Sequence, residues 1–242
     1  MNGQVEHPVN QRKFAMKVFY RVIAIMLLVS VSRVYAQERL PSQKEFEPPN
    51  GKGRAVVVIS GQTGPGSVAY FAKDIAAQGY YAVLVNGNDF WKKGEGGALL
   101  KGVISRAQRS PHALPGKAAV IGFSLGGAPS LTYATRMPAS VSAVVTYYPA
   151  TYFITQPGAF VSQIKVPTLM FAGVLDTYKN CCVIETARRL AAAARASKVP
   201  LSVIEYPDAA HGRAIKYSKD WRGNDAADAF RRTLDHLRQN SV

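Results

Sequence analysis

The chain has 242 residues, 48% of them hydrophobic, which is enough apolar material for one sizeable buried core. Its formal net charge is +15, but the basic residues are scattered, with no aromatic-rich RNA motif and no DNA-reading module, so nucleic acid is not the expected partner. A solvated basic surface accounts for the charge; an anionic substrate or an anionic envelope surface would also suit it.

The first 36 residues read as a leader. Lys17 and Arg21 precede the apolar run Val22 to Val29, and Val34-Tyr35-Ala36 offers small residues where a signal peptidase reads. Cleavage after Ala36 is expected, from a start at Met1 or Met16, giving a periplasmic or secreted protein. The apolar run is far shorter than the ~20 residues that span a bilayer, so no stable membrane insertion is expected once the leader is removed. Residues 37–54 are polar, with Pro41, Pro48 and Pro49, and read as an extended lead-in to a catalytic domain over 55–242.

From Ala55 the pattern alternates. Ala55 to Ile59 is a continuous β-branched run, the pattern of a strand covered on both faces. The loop Gly61 to Gly66 follows, and Ser67 is placed to cap a helix that presents Val68, Phe71, Ala72 and Ile75 on one side and ends at Gly79. Tyr81 to Val85 reads as the second strand and Gly97 to Arg109 as a helix. Ala118 to Gly122 is the third strand, followed by a helix-like stretch from Ala128 to Met137. Val141 to Tyr147, Thr168 to Ala172 and Leu201 to Tyr206 are three more strands. Helices are expected over Val183 to Ala196 and from about Asp225 to Leu237. Strands alternating with helices predict an α/β protein with a mainly parallel sheet of about six strands and helices on both faces. No linker divides it into two domains. In such sheets functional groups collect at the carboxyl ends of the strands.

At one such end stands Gly122-Phe123-Ser124-Leu125-Gly126, a G-x-S-x-G run between strand and helix. A serine at a sharp strand-to-helix turn is forced into the open, and its glycines avoid collision with neighbouring backbone. A serine hydroxyl is a weak nucleophile until a histidine takes its proton, and a carboxylate usually orients that histidine. His211 follows the sixth strand in the loop Pro207 to Gly212 and is the expected base. His236 reads as a solvated position of the last helix, and His112 lies at the wrong end of the sheet. Asp176 follows the fifth strand and is the expected carboxylate. Asp208 is nearer to His211 in sequence, but that does not guarantee contact, and Asp89 precedes the serine. The Leu125 N–H and, from the loop after the first strand, the Gln62 N–H are the expected oxyanion donors, with Thr63 next. Asn88, Trp91 and Tyr148 follow strands and are candidates for the substrate pocket.

Cys181 and Cys182 are adjacent and too close to staple a long loop. A vicinal disulfide and a pair of buried thiols both remain open. No histidine or further cysteine stands at ligand spacing, so no metal is expected, and no cofactor either.

The Ser124 pentapeptide with Gly127, the Gly173-to-Asp176 turn and Tyr206-to-Gly212 together resemble the dienelactone hydrolase family, a compact branch of the α/β-hydrolases. The resemblance covers roughly Arg54 to Leu237. It implies an α/β-hydrolase fold with Ser124, Asp176 and His211 as a triad. The family's namesake enzymes carry a cysteine nucleophile, so Ser124 points instead to serine carboxylesterase-like members. Arg213 stands where members often have Phe; it either faces solvent or pairs with an anionic acyl group. The function this implies is hydrolysis of small or medium carboxylic esters or lactones. A prolyl oligopeptidase-like peptidase and a non-catalytic binding protein of the same fold are the alternatives.

Overall fold

The computed structural model describes residues 40–91, 94–213 and 222–241. The proposed leader and its cleavage site lie outside the described residues. From Pro41 onward the chain forms one compact unit.

Seven strands make a single sheet: β1 (Gln43–Phe46), β2 (Ala55–Ile59), β3 (Tyr81–Val85), β4 (Ala118–Phe123), β5 (Val141–Tyr147), β6 (Thr168–Gly173) and β7 (Leu201–Tyr206). Their order is β1-β3-β2-β4-β5-β6-β7, with β1 antiparallel and every other pairing parallel. Among the described residues six α-helices surround it: α1 (Ala69–Ala77), α2 (Gly96–Gln108), α3 (Gly127–Thr132), α4 (Pro157–Val161), α5 (Ile184–Ser197) and α6 (Gly223–Gln239). Side chains alternate across a strand. Val56 and Val58 therefore pack with Phe71, Ile75, Leu234 and Leu237 of α1 and α6. Ala55, Val57 and Ile59 pack on the other face with Leu100, Val103 and Ile104 of α2. A third apolar cluster sets Ile184, Ala187 and Leu190 of α5 against Met170 and Leu201. Helices cover both faces, which is why β2 to β4 read as unbroken apolar runs. Among the described residues no helix is long and apolar enough to cross a membrane.

The sheet has one strand more than expected. The lead-in supplies β1, three polar residues followed by Phe46, all partly or fully exposed. Its backbone pairs with β3, Phe46 packs on the core, and side-chain bonds add to both. The Tyr81 hydroxyl donates to Glu45, and Arg106 donates to Gln43 Oε1 and to the Pro41 carbonyl, both at 2.6 Å. A polar edge strand has no hydrophobic period to betray it, because only one of its sides needs a partner.

Two local expectations also change. Ser67 does not cap α1; it sits in a 3-10 turn over Pro65–Val68 and donates to the Gly64 carbonyl. The stretch after Ser124 is not one long helix. It runs as a 3-10 turn (Ser124–Gly126), the short α3, and a second 3-10 turn (Ala134–Arg136).

Candidate active site

The turn at Ser124 is built from missing side chains. A Cβ on Gly122 would lie 2.3 Å from Ser130 Oγ and 2.4 Å from the Gly126 carbonyl oxygen. One on Gly126 would lie 2.5 Å from the carbonyl oxygens of both Ile59 and Ser60. Only glycine allows this approach of β4, α3 and the loop after β2. Ser124 itself holds φ +48°, a left-handed conformation that costs energy for a residue with a Cβ. Such strain persists only where the surroundings over-determine it.

The loops after β6 and β7 bring two more groups to that hydroxyl. Ser124 Oγ is 2.9 Å from His211 Nε2, and His211 Nδ1 is 2.8 Å from Asp176 Oδ2. An ionised carboxylate only accepts, so Nδ1 carries the proton and Nε2 is left to accept from Ser124. Asp176 is 2% exposed, and its other oxygen accepts the Tyr178 N–H at 3.1 Å. The imidazole is held on two sides. Tyr178 lies face to face with it, centroids 4.5 Å apart and 10° from parallel, and Tyr148 meets it at 4.8 Å and 68°. Tyr178 is missing from the sequence-derived set, although its place in the loop after a strand was a signal that could have raised it.

The rival residues are occupied elsewhere. The Asp208 carboxylate is exposed and lies 3.9 Å from Arg222. His112 contacts the Gly51 carbonyl and Glu47. His236 is not a solvated position: it is partly buried and its Nε2 donates to the Pro167 carbonyl at 3.2 Å. Burial pushes its pKa down, opposed by that bond.

The loop after β2 runs beside Ser124. A Cβ on Gly61 would sit 3.4 Å from Ser124 Cβ and 4.0 Å from its Oγ. Gln62 follows directly, and Asn88 Nδ2 donates to its carbonyl at 3.1 Å and to Asn86 Oδ1 at 2.9 Å. Asn88 thus ties the Gln62 loop to the loop after β3 rather than presenting a free amide to substrate. Leu125 is the second residue of the 3-10 turn, where the first N–H groups have no intrahelical acceptor.

The other pocket candidates divide. Trp91 is exposed and stacks on Tyr152, centroids 6.3 Å apart. Tyr148 does not line an open pocket. It is 1% exposed behind His211, and burial pushes its hydroxyl pKa well above the ordinary tyrosine value. Arg213 faces neither solvent nor pocket. Gly212, at φ +79°, turns the chain inward, and the guanidinium lies 3.8 Å from the Tyr206 ring centroid. Its Nε, Nη1 and Nη2 have no hydrogen-bond partner among the described residues, and desolvation pushes its pKa down.

Cys181 and Cys182 form a vicinal disulfide. It borders the site: the two sulfurs and a His211 nitrogen all lie within 4.8 Å of one another. Disulfide sulfurs lack the thiolate charge that a metal ligand needs. The Cys181 carbonyl accepts the N–H groups of Thr151 and Tyr152, at 2.7 and 3.0 Å, and so joins this loop to the one after β5.

A family model for the dienelactone hydrolases matches residues 88–241. The chain belongs to the dienelactone hydrolase family. No curated protein matches it. Among solved structures, a dienelactone hydrolase-like promiscuous phosphotriesterase from metagenomic libraries is similar in fold, with TM-score 0.67, 15% identity, and 83% of this chain and 99% of that chain covered. The propionate-bound Est2 esterase of Thermogutta terrifontis matches with TM-score 0.61 and 17% identity, over 81% of this chain and 88% of its own. The same esterase phosphoramylated by tabun gives TM-score 0.63 and 16% identity, with the same coverage. At these identities the structures share the family's fold with this chain. Strands β4 to β7, with Ser124, Asp176 and His211, all fall inside the matched family region.

Proposed function

We propose that this dienelactone hydrolase family member is a serine hydrolase of small or medium carboxylic esters or lactones, working through an acyl-Ser124 intermediate. The observation that carries this reading is the hydrogen-bonded chain Ser124–His211–Asp176, closed at 2.9 and 2.8 Å on a strained turn. Ser124 Oγ attacks the ester carbonyl carbon as His211 Nε2 takes its proton. Buried Asp176 holds the Nδ1–H and stabilises the imidazolium that forms. The carbonyl oxygen becomes an oxyanion, met by the N–H groups of Leu125 and Gln62. His211 then hands its proton to the departing alkoxide and the alcohol leaves; water, deprotonated by His211, attacks the acyl carbon, the acyl–Oγ bond breaks as His211 returns the proton to Ser124 Oγ, and the carboxylic acid departs. A lactone follows the same course, except that its alcohol stays tethered to the acyl group.

The phosphoramylated and propionate-bound states of the Thermogutta esterase support a hydrolytic reading of the shared fold. The apolar, basic-flanked leader before Ala36 supports export, and with it a periplasmic or secreted enzyme whose catalytic domain includes the lead-in strand β1.

The test is fluorophosphonate labelling of the mature chain from Gln37, read by intact mass, with Ser124→Ala and His211→Ala alongside. Labelling of the wild type that disappears in both variants is expected. A folded wild type that takes no label, and cleaves no ester or lactone, would replace this reading with a binding protein.

A further inference from the structure

We infer that a pocket against α3, the helix that follows Ser124, binds a single neutral aromatic ring, and that the preferred esters carry one. The substrate part of this inference rests on the hydrolase reading above; the binding part does not.

The pocket has a volume of about 150 Å³ and is walled by Phe90, Trp91, Ala128, Pro129, Tyr133 and Phe153, with Thr132 beside them. An apolar cavity of about that volume, lined by Leu, Ile and Phe, is known to take one benzene molecule. The match in size is therefore to one six-membered ring. Four of the lining residues are aromatic and, among the described residues, none of the lining is charged, which suits a neutral apolar guest. Planar walls favour a planar guest through offset and edge contacts.

The pocket's position ties it to the chemistry. Ala128 and Pro129 lie on α3, four and five residues after Ser124. Ala128 packs with Ala150 and Cys182, and the Ala150 N–H donates to the Ser124 carbonyl at 2.9 Å. The inner wall is thus continuous with the backbone that holds the hydroxyl. The outer wall is braced by ring contacts. Trp91 stacks on Tyr152 at 12°, Tyr152 meets Phe153 edge-on at 5.8 Å, and Phe153 meets Phe160 at 6.3 Å. These contacts join the loop after β3 to the loop after β5 and leave Trp91 (41% exposed) and Phe153 (37%) open to an incoming ring. Arg213, the residue whose charge singled it out in the sequence, is sealed against Tyr206 and takes no part.

Two matched ester pairs separate a ring on the acyl side from one on the alcohol side: methyl phenylacetate against methyl butyrate, and benzyl acetate against butyl acetate. In one pair kcat/KM should favour the ring by about tenfold or more. Thr132→Phe, which fills the pocket, and Phe153→Ala, which removes a wall, should each erase most of that ratio. Equal rates within both pairs, or a preference that survives both variants, would overturn the inference. Binding is read separately on Ser124→Ala by amide NMR, with benzyl alcohol and n-butanol as probes. Saturable shifts at Ala128 and Thr132 with benzyl alcohol, and weaker ones with n-butanol, are expected. Those shifts without any ester cleavage by the wild type would sink the hydrolase reading and leave the ring site standing. Ester cleavage with no shifts and no ring preference would do the reverse.

Discussion

Ser124 and His211 meet across 2.9 Å, yet the two ends of that hydrogen bond are held by different physics. The serine side is held by exclusion. Gly122 and Gly126 bring three pieces of backbone so close that no side chain fits between them. The histidine side is held by contact. Asp176 takes its Nδ1–H, Tyr178 lies on its face, and Tyr148 meets it from another side. A site held by exclusion fails when an atom is added, and one held by contact fails when an atom is removed. The glycines of the serine turn lie within a few residues of Ser124, although Gly126 presses on Ile59 and Ser60, whereas the histidine cage draws on loops after β5, β6 and β7.

The largest expected effect is on the contact side. Asp176→Asn should lower kcat by about ten-thousand-fold with the fold unchanged, because the amide favours the wrong imidazole tautomer. Steady-state rates beside a circular dichroism spectrum check this; a loss below about tenfold would mean that another group orients His211.

On the exclusion side, Gly126→Ala forces a methyl to 2.5 Å from the Ile59 and Ser60 carbonyl oxygens. It should cost about 2–3 kcal/mol in a urea titration and slow fluorophosphonate labelling by about a hundredfold through misplacement of Ser124. Gly158→Ala is the control. Its Cβ would meet nothing within 4 Å in α4, so stability should hold or rise by about 0.5 kcal/mol. Similar outcomes for the two would dissolve the distinction drawn above.

Tyr178→Ala removes the ring stacked on His211 and should reduce kcat by about three- to tenfold, with Tyr178→Phe near wild type. An unchanged kcat in Tyr178→Ala would show that Asp176 alone sets the ring's orientation.

Arg213 sharpens the comparison from within the histidine loop. Its buried guanidinium gains a cation–π contact with Tyr206, while its donors go unanswered among the described residues. These terms oppose each other at about 2 kcal/mol each, so Arg213→Met should change stability by less than about 1 kcal/mol. A larger loss in chemical denaturation would mean the cation is fully satisfied in solution.

The smallest effect is a pH slope. Burial lowers the His236 pKa in the folded chain, so the group contributes stability above the ordinary histidine value. That contribution drains away as pH falls through the lowered folded value, because the unfolded chain takes up the proton first. Thermal midpoints measured from pH 8 down to pH 5 should decline, and His236→Gln should flatten the decline. A wild-type slope equal to the variant's would contradict a buried neutral imidazole.

The difference between the two sides also explains what could be read from the residues alone. Strands β2 to β4 are legible because helices cover both their faces, which leaves unbroken apolar runs, and β5 to β7 because each is a short segment rich in apolar, β-branched or aromatic residues. The G-x-S-x-G turn is legible because exclusion writes itself locally, as glycines at fixed offsets from Ser124. His211 and Asp176 are legible as loop positions at strand ends, since chain order and sheet topology bring such ends together. The largely polar strand β1 is not legible, because its pairing with β3 and its hydrogen bonds from Tyr81 and Arg106 come from residues distant in sequence. The half-buried state of His236 and the inward turn of Arg213 escape for a similar reason. Each depends on a neighbour from another element, Pro167 in one case and Tyr206 in the other.

By itself the sequence determined the layered α/β architecture, the exposed serine turn and the family. Periodicity and glycine spacing are local consequences of burial and steric exclusion. Only the tertiary structure decided that Tyr178 faces His211, that the Cys181–Cys182 disulfide borders the site, that Asn88 braces the Gln62 loop, and that a pocket rich in aromatic side chains lies against α3. Those facts depend on which loops meet above the sheet, and loop meetings are set by packing between residues far apart in the chain.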